Sequence, residues 1–182
     1  MKYIDNLLQN FRIAQARKYI PKGSTVLDIG SSDGVMFNQL KDIIIDGTGI
    51  DPTLTETISG PNFKLFPGFF PNDLKEDKIY DAITLLAVLE HIPPQVHQSF
   101  SNGCAKYLKK GGKLIITVPS AQVDHILSVL KFFRLIDGMS LEEHYGFDTK
   151  MTPLIFKGPD FKLVKHSTFQ LGLNNLFVFE KI

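Results

Sequence analysis

The sequence predicts an α/β fold: a doubly wound, mainly parallel seven-stranded sheet with a C-terminal antiparallel hairpin and helices on both faces. Three observations predict it. Short apolar, β-branched runs alternate with helix-period segments, which is the pattern of βαβ units in a parallel sheet. Gly- and Pro-bearing turns separate those runs. The last two runs join through Gly172 and Asn174-Asn175, turn chemistry that makes a hairpin, and a hairpin is antiparallel.

Each element follows in order. Residues Tyr3 to Ile20 place Ile4, Leu7, Leu8, Phe11, Ala14 and Ile20 near one helical face. Pro21-Lys22-Gly23 stops that helix. Thr25 to Ile29 reads as a buried parallel strand, and a helix starts near Asp33-Gly34. Strands are expected at Thr48 to Asp51, Phe63 to Phe66 and Asp81 to Val88, the last being the most apolar and so central. Pro93-Pro94 opens a helix reaching Leu108, ended by Gly111-Gly112, and Lys113 to Val118 is the next strand. Gln122 to Leu135 has helical spacing. Thr152-Pro153 suits the N-cap and first position of a short helix. Phe161 to Phe169 and Leu176 to Glu180 close the sheet.

Composition bounds the rest. A chain of 182 residues, 43% hydrophobic and 21% charged, suits one domain with a sizeable core. We read residues 1–182 as that domain, with 1–20 as a cap helix and 25–182 as the core. Twenty Lys plus Arg against nineteen Asp plus Glu leave a net charge of +1. The basic footprint of a binder of long nucleic acid is therefore missing. Cys104 has no second cysteine to pair with. No apolar stretch is long enough to span a membrane, and the first residues lack a secretory pattern, so a cytoplasmic location is expected. No His, Asp and Glu cluster has metal-motif spacing, so no metal is expected.

The informative segment is Val26-Leu27-Asp28-Ile29-Gly30-Ser31-Ser32-Asp33-Gly34. A strand ends, the chain turns sharply and a helix begins. Gly30 and Gly34 permit positive φ and close backbone approach beneath a ligand, while the helix start offers free N–H groups. Ser31 and Ser32 add short hydroxyls. A dinucleotide fingerprint needs G-x-G-x-x-G, and Ser32 and Val35 occupy its second and third glycine positions. The Lys-Ser or Lys-Thr of a phosphate-binding P-loop is also missing. Asp51 ends the second strand, beside the first in an open parallel sheet. There its carboxylate can accept both hydroxyls of a ribose or, alternatively, cap the turn at Pro52.

With these residues in place, the chain resembles the class I S-adenosylmethionine-dependent methyltransferases from about Thr25 to its C-terminus. Asp28-Ile29-Gly30-Ser31-Ser32-Asp33-Gly34 resembles their first motif, with Ser32 standing where the middle glycine usually is. Asp51 matches their ribose-binding acid. Tyr80-Asp81-Ala82-Ile83 with Leu89-Glu90-His91-Ile92, and Gly111-Gly112-Lys113-Leu114-Ile115-Ile116, resemble the surroundings of their fourth and fifth strands. The resemblance implies a Rossmann-like fold closed by an antiparallel hairpin. It implies S-adenosyl-L-methionine as cosubstrate, with Asp28, Gly30, Ser31, Ser32, Gly34, Asp51, Pro52, Gly68, Phe69, Leu86 and Ala87 as the residues around it. Many relatives carry an Asp after the third strand to bind the adenine amino group. Here Gly68-Phe69-Phe70 occupies that stretch, so stacking on Phe69 or Phe70 is the alternative, beside a core role for either ring.

A sulfonium methyl is already activated, so transfer mainly needs an aligned acceptor, and a general base only where the acceptor must lose a proton. His91, His125 and His144 are the histidines near strand ends or in the segments after them, and Tyr145 adjoins the last. Glu90-His91 can instead fix a turn, and His125 falls on the polar side of its helix. His91, His144 and Tyr145 stand as catalytic candidates, with no base assigned. The expected function is methyl transfer to a small-molecule acceptor by a monomer or homodimer. A non-catalytic cosubstrate-binding partner is the alternative, and a nicotinamide oxidoreductase fits less well.

Overall fold

The computed structural model describes residues 3–120 and 147–182. Its strands are β1 (Ser24–Ile29), β2 (Ile44–Asp51), β3 (Ile58–Ser59), β4 (Phe63–Pro67), β5 (Tyr80–Leu86), β6 (Leu108–Pro119), β7 (Phe161–Phe169) and β8 (Asn174–Lys181). Its α-helices are α1 (Tyr3–Arg17), α2 (Val35–Leu40), α3 (His97–Tyr107) and α4 (Thr152–Ile155). The strands form one sheet in the order β3-β4-β2-β1-β5-β6-β8-β7. Pairs from β4 through β6 are parallel, and β8 is antiparallel to both β6 and β7. The predicted mixed sheet with a closing hairpin is therefore present. Its eighth strand, β3, is a two-residue hook lying antiparallel on β4.

The central strands are the most apolar, as their position requires. β1 and β5 lie side by side with Val26, Leu27, Ala82, Ile83 and Leu85 almost fully buried. Side chains alternate between the sheet's two faces, and the buried residues accordingly sort into two clusters. One holds Leu27, Ile83, Leu114, Phe177 and Phe179 with α3 residues Phe100 and Cys104. The other holds Val26, Ala82, Ile115 and Val178 with Ile13, Met36, Phe37 and Leu40 from α1 and α2. Cys104 is thus a core residue of α3, and burial pushes its thiol up.

Several expected boundaries move. The buried stripe of α1 is Ile13, Ala16 and Ile20 in the turn after it, whereas Leu7, Phe11 and Ala14 are exposed. Both stripes have helical spacing; only contact with the sheet selects between them. β2 begins four residues earlier than expected, at Ile44, and β5 ends at Leu86 because Ala87 turns to φ 61°. The helix after Pro93 opens as a 3-10 turn over Pro94–Val96, and α3 ends at Tyr107.

Gly111-Gly112 lies inside β6 rather than ending a helix. Tyr80 pairs with Leu108 and Ala82 with Lys113, so β6 accommodates the glycines as an irregularity in the ladder. Thr152 is buried in the first turn of α4 and does not cap it. The side-chain cap in this region is Asp148, which accepts Lys150 N–H at 3.0 Å ahead of a 3-10 turn over Thr149–Met151. Asn174 and Asn175 are buried residues of β8, while the hairpin turns through Gln170, Leu171 and Gly172, all at positive φ. The expected helix Gln122 to Leu135 lies outside the described residues.

Candidate functional site

The carboxyl ends of β1, β2, β4 and β5 meet at one edge of the sheet. Ile29 is level with Ile50 on one side and with Leu85 on the other, and Asp51 with Pro67. The turns leaving these strands are stitched to neighbouring strand ends. Gly30 N–H donates to Ile50 C=O at 2.9 Å, Gly68 N–H to Asp51 C=O at 3.2 Å and Ala87 N–H to Thr117 C=O at 2.9 Å. Parallel sheets bind their ligands outside this edge.

The turn from β1 into α2 runs through the left-handed region three times, at Gly30 (φ 80°), Ser32 (φ 45°) and Gly34 (φ 74°). A side chain at Gly30 would overlap Val88 Cγ2, and one at Gly34 would press on Phe63 and Leu65. Both positions thus require glycine for conformation and for space. Gly34 is the N-cap of α2 and donates to Ser31 C=O at 2.9 Å. Ser31 is buried against Gly49, and its Oγ has no hydrogen-bond partner among the described residues. Ser32 and Asp33 are exposed at the tip.

Asp51 holds the turn in shape. Its Oδ2 accepts Ser32 N–H at 2.8 Å, and its Oδ1 accepts Thr53 N–H at 2.8 Å and Thr53 Oγ–H at 2.6 Å. The capping role is therefore present. Those bonds fill both acceptor sites of Oδ1 and one of Oδ2, so one lone pair on Oδ2 remains for a ligand hydroxyl, at about two hydrogen bonds per oxygen. Asp28 lies behind it, 4% exposed, and accepts Thr84 Oγ–H at 2.6 Å. Burial raises the Asp28 carboxyl to about 7, the Thr84 hydrogen bond opposes that, and the Asp51 charge adds to it. The Asp51 carboxylate gives this edge a negative character suited to cations and hydroxyl groups, with the buried Asp28 carboxyl behind it.

The remaining expected residues divide by location. Pro52 and Phe69 are exposed beside Asp51 and Gly68, and Leu86 and Ala87 are half-buried at the end of β5. The two phenylalanines separate: Phe69 is 66% exposed, while Phe70 packs edge-on against Phe100, with ring centres 5.2 Å apart. Asp73, overlooked in the sequence, returns a carboxylate to this loop. Its Oδ2 accepts Phe69 N–H at 2.8 Å, and its N–H donates to Phe69 C=O at 3.0 Å. The spacing of four residues was the available signal.

His91 is exposed at the end of a 3-10 turn over Leu89–His91, with its backbone N–H bonded to Val88 C=O at 3.0 Å. His125, His144 and Tyr145 lie outside the described residues. A cavity of about 460 Å³ sits at the opposite edge of the sheet, where β2 and β4 begin. There Thr48 and Tyr80 each donate to Glu76 Oε2 at 3.0 Å, so its polar groups already serve one another.

Comparison with known proteins agrees with this fold. A family model described as a methyltransferase domain matches residues 2–151. No curated protein sequence matches the chain. Among solved structures, a chain from the complex of the Haloferax volcanii Trm112 methyltransferase activator superposes with a TM-score of 0.72 at 13% identity, covering 94% of this chain and 90% of that one. Magnesium protoporphyrin IX methyltransferase from Synechocystis, solved with bound SAH, has a TM-score of 0.69 at 13% identity, covering 100% and 89%. The N-methyltransferase NodS from Bradyrhizobium japonicum has a TM-score of 0.67 at 14% identity, covering 97% and 98%. At such identities the superpositions speak for the fold, and the family match covers most of the sequence. The chain belongs to the methyltransferase-domain family.

Proposed function

We propose that this protein transfers the methyl group of S-adenosylmethionine to a small-molecule acceptor. The observation that carries the reading is the Asp51 carboxylate closing the glycine-bearing turn after β1, with Asp28 buried behind it. A narrow, left-handed turn ahead of a helix start lets backbone come close to a ligand, and the free acceptor site on the strand-end carboxylate can take a ribose hydroxyl. The donor set fits the cosubstrate. Asp51 and Pro52 would hold the ribose, Phe69 the adenine face, and Gly30 to Gly34 the amino-acid end, with Leu86 and Ala87 bordering the reacting group.

Bound S-adenosylmethionine would supply an activated methyl. The acceptor's lone pair forms the new bond to carbon as the C–S bond breaks, its electron pair returns to sulfur, and an O–H or N–H acceptor releases its proton. The chain's contribution is alignment and exclusion of water, both of which favour a displacement whose positive charge spreads in the transition state. The bound SAH of the Synechocystis neighbour and the near-neutral charge of the chain support the cosubstrate and a small acceptor, respectively.

Calorimetric titration with S-adenosylmethionine, S-adenosylhomocysteine and NADH tests the reading, beside an Asp51→Ala variant. Micromolar binding of both sulfur compounds is expected, weakened about tenfold or more by the variant, which corresponds to about 1.4 kcal/mol. Failure of both to bind would overturn the proposal, and NADH binding in their place would assign the site to hydride chemistry.

A further inference from the structure

The inward stripe of α1 changes character along its length. Positions 6, 9, 13, 16 and 20 recur at helical spacing. Ile13, Ala16 and Ile20 are buried in the core, but the stripe continues as Asn6 and Gln9. The change coincides with the end of the sheet. Arg12 Nε donates to Asn174 Oδ1 at 3.3 Å, and Asn174 pairs with Pro119 at the carboxyl end of β6. Asn6, Gln9 and Asn10, earlier on the helix than Arg12, therefore lie toward the edge where the cosubstrate turn is found.

Between them and that turn is an open cleft of about 450 Å³, lined by Asn6, Gln9, Asn10, Asp33 and Val35. Its polar groups are oriented by their neighbours. Gln39 Nε2 donates to Asn10 Oδ1 at 2.6 Å, which leaves the Asn10 amide N–H₂ to other partners. Val35 N–H reaches Asp33 Oδ1 at 3.3 Å, so the carboxylate is held at the start of α2.

We propose that this cleft is the methyl-acceptor site and that it takes a small, non-anionic molecule bearing hydroxyl, amide or amine groups. The inference rests on the methyltransferase reading above. Three amides read an acceptor through both donors and acceptors, and among the described residues the lining contains no Lys or Arg to neutralise a phosphate or carboxylate. Asp33, the one charged group among the described lining residues, repels anions and attracts ammonium groups. An apolar acceptor would leave the amides without partners, at a cost to binding.

The full chain, given methyl-labelled S-adenosylmethionine, is assayed against small amines and polyols, each beside its phosphate or carboxylate counterpart. Calorimetry with S-adenosylhomocysteine runs in parallel. Label is expected in uncharged or cationic members at about tenfold or greater preference. An Asn6→Leu/Gln9→Leu variant should lose about tenfold in kcat/KM, chiefly through KM, with S-adenosylhomocysteine affinity within about twofold of the parent. An Asp33→Lys variant should shift preference about tenfold toward the anionic members, an effect that misfolding cannot imitate. Preference of the parent for anions, label in no member of the panel, or an equal loss of S-adenosylhomocysteine affinity overturns the proposal; the last assigns the cleft to the cosubstrate. A parent that fails to bind S-adenosylhomocysteine refutes the underlying reading instead.

Discussion

Ser32 donates its backbone N–H to Asp51 Oδ2 at 2.8 Å, fastening the turn after β1 to the end of the neighbouring strand. The same residue stands at φ 45°, where an L-residue pays roughly 1–2 kcal/mol. Glycine removes that strain but adds up to about 1 kcal/mol of unfolded-state entropy. Ser32→Gly should therefore raise stability by about 0.5 kcal/mol, and Ser32→Val should lower it by about 2 kcal/mol. Urea unfolding of both variants checks this, and a Val variant as stable as the parent would contradict the backbone assignment.

Gly30 combines two constraints that a double substitution separates. An alanine there meets Val88 Cγ2 and adopts φ 80°. Gly30→Ala should cost about 3 kcal/mol, the sum of backbone strain and overpacking. Adding Val88→Ala makes room without changing the backbone, so roughly 1–2 kcal/mol of the cost should remain beyond that of Val88→Ala alone. Full recovery in the double variant would mean the turn relaxes out of the left-handed region.

Asp28 carries a pH dependence of definite sign. Its folded carboxyl titrates at about 7 against a reference of 3.8, so the folded chain holds this proton more tightly than the unfolded one. The stability it contributes is fully present below about pH 4 and is lost as pH rises through about 7. Asp28→Asn cannot titrate. Its stability relative to the parent should improve from pH 5 to pH 8 in urea unfolding. A difference that stays constant over that range would show that Asp28 is ionised throughout. Thr84→Val, which removes the 2.6 Å hydrogen bond to this carboxylate, should move the midpoint upward.

Phe69 and Phe70 should respond to alanine in opposite ways. Phe69 is largely exposed at the candidate adenine position, so its removal should weaken S-adenosylhomocysteine binding by about 1 kcal/mol or more and leave the melting temperature nearly unchanged. Phe70 packs on Phe100 and Tyr107. Its removal should cost about 3 kcal/mol of stability with a smaller effect on affinity for the folded fraction. Calorimetry and thermal melts on the pair distinguish the two roles, and equal effects on binding would refute the division.

The sequence by itself determined the order of the described strands and helices apart from β3, the central place of the strand it put at Asp81 to Val88, the closing hairpin and the glycine turn after Ile29. Each of these is written in local signals: β-branched apolar runs, Gly and Pro punctuation, and a helix start behind Gly34. Tertiary structure alone decided which of two helical stripes on α1 is buried, because Leu7 with Phe11 and Ile13 with Ala16 are equally well spaced until the sheet covers one of them. It also drew Gly111-Gly112 into β6, as an irregularity between the Tyr80–Leu108 and Ala82–Lys113 pairs. It separated Phe69 from Phe70, and brought Asp73 back to Phe69 N–H and Asp51 to Ser32 N–H. Local patterns specify what a segment is, but burial and pairing depend on partners distant in the chain, and so only the folded arrangement settles them.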